Sequence, residues 1–139
     1  MTPYVEGSPP GVHVSSPRPA DFELAILRVI WRRGSATVRE IHEDLLAERK
    51  QGYTTVLKSL QIMFEKGLVK RDESQRSHIY SATIGEAATR TNLVQDLADK
   101  AFGGSALQLL MHALHRESPK PEELDALQAL IEAKRKGRR

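Results

Sequence analysis

Within the run YTTVLKSLQIMF, residues 53–64, the side chains of Thr54, Thr55, Lys58, Ser59, Gln61 and Ile62 fall on the outward side of a helix drawn at about 100° per residue. Val56, Leu60, Met63 and Phe64 fall on the other side, with Leu57 at its edge, and are the expected core. Ordinary solvent faces are built from Glu and Lys. This one offers threonine hydroxyls, which bond base edges or phosphates and whose methyls pack on thymine methyls. Lys58 suits guanine or a phosphate, and Ile62, costly in water, suits a thymine methyl. The chemistry points to base reading by Thr54, Thr55 and Lys58, with Ser59, Gln61 and Ile62 as additions.

A second cluster follows in LVKRDESQRSHIYSAT, residues 68–83. Lys70, Arg71, Arg76, Ser77 and His78 have the chemistry to hold phosphates, which positions a protein on a duplex without specifying sequence. Asp72 and Glu73 lie among them, so not every residue of this stretch can face a polyanion. His112 and His115 are the only pair with ligand-like spacing. With no cysteine in the chain and no clear third ligand, they read as polar residues at a dimer rim, and no metal or cofactor is expected. A zinc- or nickel-responsive regulator, or one whose dimer loosens as these histidines protonate near pH ~6, is the alternative they carry. The chain has no G-x-S-x-G, P-loop, H-E-x-x-H or dinucleotide fingerprint, so no enzyme is expected.

The elements that must position these residues follow from periodicity. Residues 1–20 hold five prolines and no apolar period, and read as a disordered arm. Leu24, Leu27, Ile30 and Trp31 recur at helical spacing until Gly34. Thr37 and Glu40 have the spacing of a capping box, and Val38, Ile41 and Leu45 form the inward stripe of a second helix. The third helix begins near Tyr53 or Thr54 and stops where Gly67 can turn left-handed, with Leu68 closing a Schellman-type end. The next stretch is a hairpin with apolar pairs Leu68/Val69 and Ile79/Tyr80. Helix, helix, helix, hairpin over 21–84 is the outline of a winged helix-turn-helix.

The remainder is helical. Leu93, Leu97 and Phe102 mark one apolar side, SALQLLMHALHRES is shorter and greasier, and Leu124, Leu127, Leu130 and Ile131 repeat in a last helix whose acids lead and bases trail. These helices bury too little alone, so a second subunit is expected to cover them. The fold class is mainly α with a small β-hairpin wing, the domains being 21–84 and 85–133, and 134–139 a basic tail. Net charge is +3 with pI ≈ 9.3, which permits nucleic acid without requiring it. No stretch approaches the roughly 20 apolar residues of a membrane span, and no signal pattern opens the chain, so a cytoplasmic protein is expected. A winged helix that grips a protein through Ile62 is the second reading from another class.

The segments ELAILRVIWRRGSATVREIHEDL, GYTTVLKSLQIMFEKGLVKRDESQRSHIY and AFGGSALQLLMHAL resemble, in order and spacing, the penicillinase-repressor family of BlaI, MecI and CopY type, over about residues 21–132. The resemblance implies a homodimeric repressor of transcription on a roughly palindromic DNA operator. It places Thr54, Thr55 and Lys58 in the base-reading segment, and Leu93–Phe102, Leu107–Leu114 and Leu124–Ile131 in the dimer helices, with Leu110 among them. It also implies relief by proteolysis within the dimerisation region, through a membrane metallopeptidase. Where the family's best-known cleavage point is Asn-Phe, this chain has Leu110-Met111, which calls for a peptidase of another preference. The copper-responsive branch uses cysteine pairs, and this chain has none. The proline-rich arm exceeds the usual family start.

Overall fold

A computed structural model describes residues 18–137. The expected N-terminal arm lies outside the described residues except for Arg18–Ala20, as do Arg138 and Arg139 of the tail. The elements in chain order are α1 (Asp21–Arg33), β1 (Ala36–Thr37), α2 (Val38–Leu45), α3 (Tyr53–Lys66), β2 (Val69–Asp72), β3 (Ile79–Ala82), α4 (Glu86–Ala101), α5 (Ala106–Arg116) and α6 (Pro121–Lys136). The chain divides into two compact units, 1–96 and 97–139. That division falls inside α4, whereas the sequence reading sets the boundary at residue 84.

The first unit is the winged helix. α1 is stopped by Gly34, whose φ of 88° admits no side chain without strain and whose N–H closes on the Ile30 carbonyl at 2.7 Å. α2 opens on the expected box: the Glu40 N–H donates to Thr37 Oγ1 at 3.2 Å, and the Thr37 N–H donates to the Glu40 carboxylate at 2.9 Å. The second helix ends at Leu45, sooner than its sequence run implies, and residues 46–52 form a longer link than a tight helix-turn-helix uses. α3 ends at Gly67 (φ 83°, ψ 15°) with Leu68 N–H on the Met63 carbonyl at 2.9 Å, the Schellman closure.

The sheet has three strands in the order β1-β3-β2, all antiparallel, with Ala36 and Arg71 each opposite Tyr80 on its two edges. β1 is two residues long, too short to show an alternating pattern, so the sequence reading has only the hairpin. The core gathers Ile26, Leu27 and Ile30 of α1, Ile41 and Leu45 of α2, and Val56, Leu60 and Met63 of α3 over Val69 and Tyr80 of the sheet. Phe64 corrects the expected core. It lies at the flank of the α3 stripe and stays 37% exposed, because β2 approaches that flank with a charged side chain. Glu23, buried on α1, receives the Lys66 ammonium at 2.9 and 3.0 Å and the Ala20 N–H at 2.9 Å, so its burial is compensated. Trp31 donates its indole N–H to the Ile84 carbonyl at 3.0 Å, fastening α1 to the end of the wing.

The second unit holds the end of α4 with α5 and α6. Gly103 and Gly104, both at positive φ, turn the chain out of α4, and Gly104 N–H closes on the Ala98 carbonyl at 2.9 Å. Ser105 then caps α5 by accepting the Gln108 N–H at 3.1 Å. Neither α5 nor α6 contains a buried residue. Lys134–Lys136, assigned by sequence to the tail, form the last turn of α6, where their charge complements the helix dipole.

Candidate nucleic-acid interface

α3 presents its outward face as the periodicity requires. Thr54, Thr55, Lys58, Gln61 and Ile62 are exposed and Ser59 is half-buried. Gly52, in extended backbone, precedes the helix, and no side chain caps it, so neither threonine is committed to an N-cap. Ile62 leaves 40% of its surface in water among these polar groups. Hydroxyls, an amide, an ammonium and one apolar side chain thus share a surface without internal neutralisation.

The hairpin treats its cations differently. Lys70, Arg76 and Ser77 are exposed and His78 is half-buried. Lys58, Lys70 and Arg76 make no ion pair among the described residues. Arg71 is engaged instead: its Nε donates to Glu73 at 2.6 Å, and its guanidinium lies over the Phe64 ring, 3.9 Å from the centroid. The Glu73 hydrogen bond raises the Arg71 pKa and holds the Glu73 carboxyl below the usual carboxylate range. Arg71, expected on a phosphate, thus also touches α3 through the Phe64 ring. Asp72 accepts the Ser74 N–H at 2.9 Å in an Asx-type turn, and the Ser74 hydroxyl and N–H lower its pKa.

Arg39 is a cation the sequence reading passed over. It is exposed on α2 and, like Arg76, lines the cleft between α2 and the wing. Its signal is local: Arg39, His42, Glu43 and Leu46 recur at i, i+3, i+4 and i+7, a second stripe beside the core one.

In the second unit, the residues expected to dimerise stand largely in solvent. Leu97, Leu107, Leu110, Leu124, Leu130 and Ile131 are exposed, while Phe102, Leu114 and Leu127 are half-buried. Leu93, the remaining one, is a half-buried residue of α4 in the first unit. Leu110 and Met111 lie in the middle of α5, both exposed. His112 and His115 are exposed, and the His112 ring tilts against Phe102 at 5.8 Å between centroids. Among the described residues no group of three or more His, Cys, Asp or Glu is placed to hold a metal ion, and no helix is long and apolar enough to cross a membrane.

The fold and this surface define a winged helix-turn-helix protein whose third helix has an open, polar outer face. The penicillinase repressor family matches residues 19–133, and the chain belongs to that family. The transcriptional regulator BlaI of Mycobacterium tuberculosis (strain H37Rv) is 34% identical over 116 residues, covering 82% of this chain and 83% of the regulator. The penicillinase repressor of Staphylococcus aureus is 20% identical over 109 residues, covering 78% of this chain and 86% of the repressor. The solution structure of the Bacillus licheniformis BlaI monomeric form in complex with the blaP half-operator aligns with 25% identity and a TM-score of 0.46, over 51% of this chain and 87% of that one.

Proposed function

We propose that the chain is a transcriptional repressor that binds an operator as a homodimer, in the cytoplasm, and carries no catalytic activity. The observation that carries this reading is the α3 face. Thr54, Thr55, Lys58 and Ile62 stand exposed on the helix that a winged helix-turn-helix lays in the major groove, and Lys58, Lys70 and Arg76 are cations without a protein partner among the described residues. Thr54, Thr55 and Lys58 read bases, with Ser59, Gln61 and Ile62 beside them. Lys70, Arg76, Ser77 and His78 hold phosphates. Membership of the family supports the same assignment.

Dimerisation rests on α5 and α6, where Leu107, Leu110, Leu124 and Leu130 stand exposed. A partner that buries them gains about 1.5–3 kcal/mol for each fully covered Leu, and fixes the spacing of two half-sites. Cleavage near Leu110-Met111 by a membrane metallopeptidase would end repression by removing that cover. The bond lies mid-helix in α5, so cleavage there requires local unwinding first.

The test is binding of the purified full chain to the DNA upstream of its own gene and to a scrambled duplex, over a salt series. Preference for the native sequence, with affinity falling as salt rises, is the expected result. Equal, salt-insensitive binding to both duplexes would favour a winged helix that uses Ile62 to grip a protein.

A further inference from the structure

We propose that the cleft between α2 and the wing binds a small organic anion with a flat apolar body, and that its occupation weakens DNA binding. The effect on DNA rests on the repressor reading; the binding itself does not.

The cleft encloses about 760 Å³, within the roughly 300–1,000 Å³ of small-molecule sites. One wall is the outer stripe of α2, Arg39, His42, Glu43 and Leu46; the wing faces it with Arg76, Ser77 and His78. Arg39 and Arg76 are exposed and make no ion pair among the described residues, and Glu43 is the single acid on the lining. Two guanidinium forks against one carboxylate favour a carboxylate or phosphate guest. The same lining carries Leu46 and Tyr53, which are 50% and 47% exposed. A phosphodiester strand would leave those two uncovered, whereas an aromatic or other flat apolar body would take them out of water.

The walls are braced before any guest arrives. His42 Nε2 lies 2.9 Å from the Gln51 carbonyl, which can only accept, so that nitrogen carries the proton. The His42 ring also meets Tyr53 edge-on, 6.0 Å between centroids at 85°. The 46–52 link and the start of α3 are thereby fastened to α2. Tyr53 immediately precedes Thr54 and Thr55, and Arg76–His78 belong to the wing, so the cleft is walled by the elements that meet DNA. An anion seated there neutralises two cations beside the phosphates, which sets the sign of the coupling.

The probes are 1-naphthoate and 1-naphthyl phosphate, with 1-naphthalenemethanol as the neutral control, titrated into the full chain by NMR shift mapping. Either anion is expected to saturate with shifts centred on Arg39, Leu46, Tyr53 and His78, and to bind about tenfold more tightly than the alcohol, a difference of ~1.4 kcal/mol. The double variant Arg39→Ala/Arg76→Ala and, separately, Leu46→Asn should each weaken the anion severalfold; all three positions are exposed, so the fold survives. By linkage, the bound probe must lower operator affinity by the same factor by which operator lowers probe affinity. No saturation with either anion up to ~5 mM, a range that reaches the weakest useful affinities, overturns the proposal. Saturation indifferent to the Arg39 and Arg76 changes overturns it too. If those changes weaken DNA while neither anion binds, the cleft belongs to the phosphate backbone. If the anions bind and no upstream DNA does, the repressor reading fails and the anion site stands.

Discussion

Helices of similar length build both units, yet they are buried to opposite degrees. α3, with 14 residues, seals Val56, Leu60 and Met63 completely inside the winged helix; α6, with 16, buries nothing. The difference lies in the neighbours. α3 packs against α1, α2 and a sheet, and its remaining face is polar and exposed. α5 and α6 carry as regular an apolar repeat with no second layer to receive it. The winged-helix unit has a core of its own, whereas α5 and α6 contain no buried residue.

The contrast is tested most severely in the core. Leu60→Ala should cost about 2–5 kcal/mol of unfolding free energy, read from denaturant midpoints at constant slope, because α3 has no slack around a fully buried leucine. Leu107→Asp, at a position 65% exposed, should leave the helical signal of the chain intact and weaken self-association by about 1.5–3 kcal/mol in sedimentation equilibrium. If Leu107→Asp unfolds the chain instead, α5 is covered within its own subunit and the comparison collapses.

Smaller effects sharpen the DNA side. Lys58→Ala should cost about 1–3 kcal/mol on the specific duplex if it contacts a base; an unchanged affinity removes it from the reading face. Thr37→Ala should cost about 1 kcal/mol of stability by opening the α2 box. The same change bears on pH. The Thr37 backbone N–H, with the hydroxyl and Arg33, holds the Glu40 carboxyl below its ordinary value in the folded state. Its stabilising part is therefore complete above the normal carboxylate range and is lost as pH falls through the depressed folded value. Thr37→Ala removes the hydroxyl but keeps the backbone N–H, so it should flatten that acid limb only in part in melts taken between neutral pH and about pH 3.

Arg71→Lys is the finest probe. It keeps the charge but loses the Nε bond to Glu73 and the guanidinium's contact over the Phe64 ring. Operator affinity should fall by about 0.5–1 kcal/mol with an unchanged salt slope. A phosphate-contacting arginine would instead show its loss in the slope of Arg71→Ala.

Much of this is legible in the residue order alone. The Thr37/Glu40 box, the Gly67 stop and the α3 stripe are local, i to i+4 relations, and local relations are written in residue order. The outward face of Thr54, Thr55, Lys58 and Ile62 follows from the same periodicity. Phe64 departs from the periodicity because a stripe's edge residue is buried or exposed according to what packs beside it, here Arg71 of the next element, β2.

What the sequence by itself determined is therefore the set of elements and the faces they turn, because spacing along one helix or hairpin needs no information from elsewhere in the chain. Only the tertiary structure decided which cations remain free. Lys70 and Arg71 are neighbours in sequence and alike in charge, yet the packing of β2 against α3 puts the Phe64 ring under the second and leaves the first exposed. Likewise β1 exists because β3 has a vacant edge beside it, and the Arg39–Arg76 cleft because that pairing brings the start of α2 beside the wing. Both depend on distances between segments that no local pattern encodes.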